Sequence, residues 1–476
     1  MRKNLARIER EPRSLRFTSR PCSIKCAGAP RSELKLREEE SVSLESQAAS
    51  TSEPIGYWAL LRENARYRRL WTGLVVSMAG DWFRTIALYH LVMHLTGASG
   101  LALSGVVLAQ TLSLFLLSPV AGVVADRFSR KAIMIGADLV RAGLALGFLL
   151  VTSANRVWLA YVLTAALMGV AAFFNPAHAA TIPNIVTRRE LIAANALTSA
   201  SWAAMLAIGA AMGGVVAAVF GTGTAFVINA AAYAVSAWCI STVPIPPTPT
   251  AERSSTDRSR NGWQDFWHGL RYMGTRPSVL RLLSVKAWSA GVAGGLLILF
   301  ALFAEHLFQA GAMGMGTLYM ARGLGAMLGP LLARRCVGEA PEAMGRTISL
   351  AFFISASFHP AFAYMPTLWL AAAALFLATM AANVLWVFSS TLLQLSVPDA
   401  YRGRVFATDF ALFTIVMSVS TFITGWSLDH STATPRTLAA ILGGLLFLPG
   451  LLWLPTTLRQ QPVLSPSSAV PGETEV

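Results

Sequence analysis

The stretch GVVADRFSRK, residues 122–131, separates two long apolar runs and holds most of the charge for some distance on either side. Before it, no Asp, Glu, Lys or Arg occurs from residue 85 to residue 125. A run of about 20 apolar residues wound as an α-helix crosses the ~30 Å hydrocarbon core with every backbone group bonded inside the segment. Two such runs joined by a short basic segment describe two spanning helices and a tight connection at one membrane face. Lys and Arg collect on the cytoplasmic side of membrane proteins, so this face is read as cytoplasmic.

Composition extends the reading to the whole chain. Hydrophobic residues make up 54% of 476 and charged residues 13%, and the apolar excess falls in repeated span-length blocks. The net charge of +14 would suit a nucleic-acid partner, but the basic residues follow topology instead of one soluble face. They recur at Arg127 to Lys131, Arg188 and Arg189, Arg253 to Arg281, Arg334 to Arg346, Arg402 and Arg404, and Arg459. The connections between these hold only Arg156 and Arg436. No nucleic-acid partner is expected, and both termini are placed in the cytoplasm of a multi-pass protein of the cell inner (plasma) membrane. The apolar blocks give roughly twelve spans, centred near residues 82, 112, 142, 167, 206, 232, 294, 323, 355, 381, 415 and 444.

The expected organisation has five parts. Residues 1–56 form a basic cytoplasmic tail without the apolar core of a secretory signal, expected to be disordered. Residues 57–243 hold six spans and residues 281–456 hold six more, with a linker over 244–280 and a short disordered tail over 457–476. The linker begins PIPPTPTAERSSTDRSRNG, a composition with little to bury. It continues with Trp263, Phe266, Trp267, Leu270 and Met273 at spacings of three and four, which predicts an amphipathic helix. Such a helix lies in the membrane interface or docks on the span ends. The two sets of spans look like copies: HAATIPNIVTRRELIAANAL from His178 and LLQLSVPDAYRGRVFATDFAL from Leu392 each place a Pro and then basic residues before a new span. The four cysteines, Cys22, Cys26, Cys239 and Cys336, are too scattered for a disulfide framework or a metal set. No cofactor is expected.

Charged residues inside a bilayer cost about 2.5 to 3.5 kcal/mol each and mark function by default. Asp81 falls near the middle of the first span, the depth at which transporters hold a proton or substrate. Arg84 lies one turn away on the same face and either pairs with Asp81 permanently or releases it in one conformation. Arg322 is at midplane depth in the eighth span without a sequence-local acid. It calls for water, an anionic substrate group, or a partner such as Asp81. Asp138 and Arg141 form an i,i+3 pair in the third span, read as structural. Asp409, close to the cytoplasmic end of the eleventh span, is read as a gate or cap. His90 and His94 share a face that points away from Asp81.

The turn motif, Gly122 followed by Asp126, Arg127, Arg130 and Lys131, resembles the loop between spans two and three of the major facilitator superfamily. Ser129 stands where that family has a second Gly, so the turn is expected to be shaped slightly differently. The segment LLRENARYRRLW, the GDW at Gly80 and the PDAYRGRVFA at Pro398 are similar to the branch holding enterobactin exporters and macrolide efflux pumps. In the fifth span Gly209, Gly213 and Gly214 resemble an exporter's antiporter motif from which the Pro is missing.

The resemblance implies twelve helices in two pseudo-symmetric six-helix bundles and alternating access. It places the third span outside the central cavity, and it implies that Asp126 contacts the start of the eleventh span to hold the inward gate closed, with Arg130 and the other basic residues assisting. The function so implied is secondary active transport by a monomer, as proton-coupled export of a small amphipathic molecule such as a drug, antibiotic or siderophore. An importer of the same fold and a non-transporting sensor or scaffold are the alternatives. An enzyme is not expected: the chain lacks a Gly-x-x-x-x-Gly-Lys phosphate loop, His-Glu-x-x-His and Gly-x-Ser-x-Gly.

Overall fold

The computed structural model describes residues 55–245, 273–274, 276–338 and 340–458. Residues 1–54, 246–272, 275, 339 and 459–476 lie outside the described residues, and with them all of the expected amphipathic helix except Met273. Every regular element among the described residues is helical. A short helix α1 (Tyr57–Glu63) leads into α2 (Ala65–Leu95), α3 (Gly100–Arg127), α4 (Arg130–Gly147), α5 (Val157–Ile185), α6 (Arg188–Phe220) and α7 (Thr222–Ser241). A second series follows: α8 (Pro277–Leu302), α9 (Gly311–Val337), α10 (Pro341–Tyr364), α11 (Leu368–Ser396), α12 (Asp399–His430), and a broken rod of α13 (Pro435–Gly444) and α14 (Phe447–Leu458).

Each of the twelve span centres read from the sequence falls in a separate rod, and the last falls on Gly444, where the rod breaks. Pro449 accounts for the break, because it has no N–H to offer Leu445. Leu446 instead donates to the Gly443 carbonyl at 3.1 Å. Ten of the rods are long and apolar enough to cross a membrane. The remaining two, α2 and α9, have 31 and 27 residues and carry Asp81, Arg84 and Arg322. Span-length helices diluted by polar residues are the ones that face a wet interior.

The rods form two sets of six. In the first, α2 lies against α6 and α7, α3 against α5, and α4 against α5 and α7. In the second, α9 and α10 lie against α11, α8 lies against α12, and α10 covers α13 and α14. Two large seams join the sets, α3 with α12 and α6 with α9, and smaller contacts tie α2 to α9 and α8 to α2 and α3. The connection holding residues 128 and 129 marks what is called here the turn end, and the opposite end is the far end.

The repeated segments occupy matching places at the turn end. Val186 and Val397 each end a helix in extended backbone, with φ −121° and −110°, and the next helix starts within two residues. In the basic turn itself, Ser129 has φ −59° and its hydroxyl accepts from the Ala132 N–H at 3.4 Å. Serine therefore fits without left-handed backbone, and it satisfies one free donor of α4.

The α6/α9 crossing depends on small residues. A Cβ added at Gly214 would stand 2.6 Å from the Ala312 carbonyl oxygen and 3.0 Å from the Gly316 Cα. Only glycine lets the two backbones approach this closely. Gly214→Leu is expected to prop the far end apart, and Gly214→Ala to do so more weakly. Spin labels at His94 and Thr432, both exposed at the far end, would read a longer distance in each variant. An unchanged distance distribution in the leucine variant would remove the seam from the closure.

Candidate functional site

Asp81 is the seventeenth residue of α2, and its side chain stays 29% exposed at the wall of a cavity of about 960 Å³ between the two sets of helices. The cavity is lined by Asp81, Trp82 and Arg84 from α2, Trp202 from α6, Arg322 from α9 and Trp386 from α11. Its lining runs along α6 at Ser199 to Ala203 and along α9 down to Leu331, so it extends from mid-membrane toward the turn end.

The far end is shut in three ways. Trp82 and Tyr89 on α2 meet Tyr319 on α9, with ring centroids 5.6 and 6.5 Å apart. His90 Nδ1 lies 3.0 Å from a carboxylate oxygen of Glu305, in the π-helical turn Phe303–Leu307. Asp429, at the last turn of α12, accepts from the first residues of α3: Gly100 N–H at 2.7 Å, Leu101 N–H at 3.0 Å and the Ser99 hydroxyl at 2.6 Å. A carboxylate at a helix N-terminus meets unpaired N–H groups and the positive end of the dipole. This contact joins the two sets of helices.

Around Asp81 the partners differ from those the sequence suggests. Arg84 is 4.0 Å away, while Arg141 donates to Asp81 Oδ2 at 3.2 Å and the Tyr233 hydroxyl donates to Oδ1. Arg141 also donates to Asp138 at 3.0 Å and lies over the Tyr233 ring at 4.1 Å. The pair read as structural and remote from the cavity thus extends to the cavity carboxylate: Asp138 and Arg141 are 0% and 4% exposed, and Arg141 spans the gap to Asp81. Arg84 turns toward the Phe148 ring, 5.8 Å from its centroid, and its Nε and Nη1 meet no acceptor among the described residues. Two carboxylates and two guanidiniums are therefore balanced in charge, but Arg141 holds both acids.

In the second set, Asp409 is the eleventh residue of α12, too far along the helix to cap its start. It is buried in an ion pair with Lys286 of α8, whose Nζ also sits 4.8 Å from the Trp386 ring centroid. Sequence reasoning missed Lys286, although a lone cation in one span and a lone acid in another were a signal. Arg322 projects beside the Tyr319 ring at 5.8 Å, and no carboxylate among the described residues comes within 4.0 Å of it.

At the turn end, Arg130 donates to the Ala180 carbonyl at 2.7 Å, and Lys131 donates to the Ser241 and Val243 carbonyls at 2.7 and 2.8 Å. All three bonds stay within the first set of helices, where they brace α4 against the ends of α5 and α7. Arg127 is exposed, and Gly122 has open space where a Cβ would stand. The side chain of Asp126 lies outside the described residues. Gly209 and Gly213 bring α6 against α2, where a Cβ on Gly213 would stand 2.8 Å from the Phe83 Cα. Among the described residues no group of His, Cys, Asp and Glu is arranged to hold a metal ion.

A multi-span helical protein with two bundles, an interior cavity lined in part by charged side chains and one sealed end has the architecture of a membrane transporter. The chain belongs to the transmembrane secretion effector family of the major facilitator superfamily, which it matches over residues 55–473. It is 26% identical over 426 residues to an uncharacterized MFS-type transporter of Mycobacterium tuberculosis, covering 84% of this chain and 92% of that one. It is 24% identical over 364 residues to the putative bacilysin exporter BacE of Bacillus subtilis, covering 75% and 87%. Among solved structures it resembles a bacterial homologue of the human lysosomal transporter Spinster, in an inward-facing and unoccupied conformation, with a TM-score of 0.66 at 14% identity over 85% of this chain and 100% of that one. The nucleoside transporter NupG is similar with a TM-score of 0.60 at 15% identity, over 82% and 99%. Its family and these neighbours are transporters, not enzymes.

Proposed function

We propose that this protein is a proton-coupled exporter of small amphipathic molecules in the plasma membrane, working by alternating access, and that the structure is its cytoplasm-open form. The observation that carries the reading is Asp81, a mid-membrane carboxylate left partly open to the cavity and held by partners that can release it. When a proton neutralises Asp81, Arg141 keeps a counter-ion in Asp138, so the change leaves no buried cation stranded. A carboxylate fixed by a single partner would not have this freedom. Export is favoured over import by the similarity to a putative bacilysin exporter, by the sequence likeness to enterobactin and macrolide exporters, and by the apolar aromatic wall, which suits a molecule drawn from the membrane or cytosol.

The same pair of helices supplies both gates in this reading. Asp429 of α12 caps α3 at the far end, and Asp126 of α3 caps α12 at the turn end once that end closes, with Arg127, Arg130 and Lys131 fixing the turn. Gly122, which has open space here, is then the position that α12 approaches. Asp429→Ala is expected to shift the population toward the far-end-open form by about 2- to 30-fold, the range of a carboxylate at a helix N-terminus. Asp126→Asn is expected to shift it the other way. Labels at Ser129 and Arg335, exposed at the turn end of each set, measure both. Shifts of the same sign in the two variants would refute opposed gates.

The direct test of the function is proton movement. Adding a transported compound to reconstituted protein should release or take up protons, and an imposed pH gradient should drive its accumulation. Transport at equal rates with and without the gradient would make the protein a facilitator.

A further inference from the structure

Within the spans, the described charged side chains away from helix ends are four cations, Arg84, Arg141, Lys286 and Arg322, and three carboxylates, Asp81, Asp138 and Asp409. Asp409 is taken by Lys286, and Asp81 and Asp138 are both taken by Arg141, with Arg84 nearby at 4.0 Å. The remaining cation is Arg322. A guanidinium stays charged at any accessible pH, so it cannot lower the cost of its position by losing a proton. Among the described residues no carboxylate meets it, it lies against the face of Tyr319, and the rest of the guanidinium is open to the cavity it lines.

The surroundings of Arg322 are shaped to receive an acceptor. It stands where the central cavity meets a side recess of about 130 Å³ in the second set of helices, and it lines both. The recess is also lined by Ser355, His359, Thr379 and Asn383. His359 is 3% exposed and spends Nδ1 on the Ser355 carbonyl at 2.9 Å, and the Asn383 amide donates to the Thr379 carbonyl at 2.9 Å. Trp82 lines the central cavity, and Trp386 and Phe413, like Arg322, line both spaces, so aromatic rings flank the mouth of the recess. One end of a ligand therefore meets a fixed positive charge, and the rest meets rings.

Resting on the transporter reading above, we propose that the transported species is an amphipathic anion, with a carboxylate or similar planar oxyanion bound by Arg322 at the mouth of the recess and an aromatic or apolar body against the tryptophans. A planar anion takes two parallel N–H bonds from a guanidinium. Arg322 belongs to the second bundle and Asp81 to the first, so substrate charge and coupling proton are read by different halves of the molecule. The sign of the excess charge excludes simple lipophilic cations as the preferred cargo.

The test uses two fluorescent probes differing in charge alone, dansyl-phenylalanine, which ends in a carboxylate, and its neutral amide. Binding is titrated to the full-length protein in detergent, without any gradient. The anion is expected to bind roughly 10- to 100-fold tighter than the amide, the usual scale of a charge-assisted hydrogen bond. Arg322→Gln should bring that ratio to about one by weakening the anion far more than the amide, and Arg322→Lys should restore part of it, because a point charge lacks the fork. A monodisperse profile and an unchanged thermal unfolding midpoint in detergent show that the variants are folded.

Equal affinities in wild type, no saturable binding of the anion, or a preference that survives Arg322→Gln would each overturn the proposal. Anion selectivity in a protein that shows no gradient-driven transport would refute the coupled-exporter reading and leave the site standing.

Discussion

Asp81→Asn is expected to reduce gradient-driven accumulation of a transported compound to about one-fold while leaving the protein folded. One charge falling through 100 mV supplies about 2.3 kcal/mol, enough for roughly a 40-fold gradient. The amide keeps the size of the side chain and still accepts the Tyr233 hydroxyl, and Arg141 keeps Asp138 at 3.0 Å. What it loses is the ability to take up and release a proton. Counterflow, in which labelled compound exchanges with unlabelled compound without any gradient, should persist. Proteoliposomes with an imposed pH gradient measure the first quantity, and the same vesicles without it the second. Equal accumulation in wild type and variant would take Asp81 out of the coupling step.

The second large effect concerns stability and separates two buried arginines. Arg141→Met removes the cation shared by Asp81 and Asp138, leaving a carboxylate that is 0% exposed without its partner. Breaking a buried pair from one side costs about 3 to 5 kcal/mol. Arg84→Met removes a guanidinium whose Nε and Nη1 bond nothing among the described residues and which is itself only 2% exposed. Its loss should change stability by less than about 1 kcal/mol, of either sign, because the desolvation relieved offsets the weak attraction at 4.0 Å. Thermal unfolding in detergent with a reporter of monodispersity compares the two. Equal losses would mean that Arg84 carries an interaction beyond the contacts described.

The contrast shows what a sequence can and cannot say about such a site. Hydropathy resolves the rods because each has to bridge the same apolar slab, and every centre from residue 82 to residue 444 falls in its own helix. Within one helix, spacing identifies neighbours, which is why Asp81 and Arg84 look like a pair. The partner Asp81 takes lies 60 residues away, and Lys286 is 123 residues from Asp409. Which faces of two helices meet depends on rotation and crossing, and apolar spans carry little periodicity to report it. The cavity aromatics were hidden for the same reason: Trp82, Trp202 and Trp386 sit among many other apolar residues, and only their convergence distinguishes them. The glycines at 209, 213 and 214 were visible as a motif, whereas their task, setting α6 against α2 and α9 at once, required the assembled bundle.

The cap that Asp429 places on α3 has a mechanical consequence. α12 has 32 residues, so it is a lever of about 48 Å, and its tip lies about 24 Å from its middle. Rotating it about a central fulcrum by about 10° carries that tip about 4 Å, far enough to break all three bonds of the cap together. If the protein works by alternating access as proposed, its rods need no bending to change sides: a tilt of about 10° is multiplied by rod length. Near that middle α12 meets α3 through small hydroxyl side chains, Thr111 and Ser418 with their oxygens 3.3 Å apart, a contact that a rolling helix can keep.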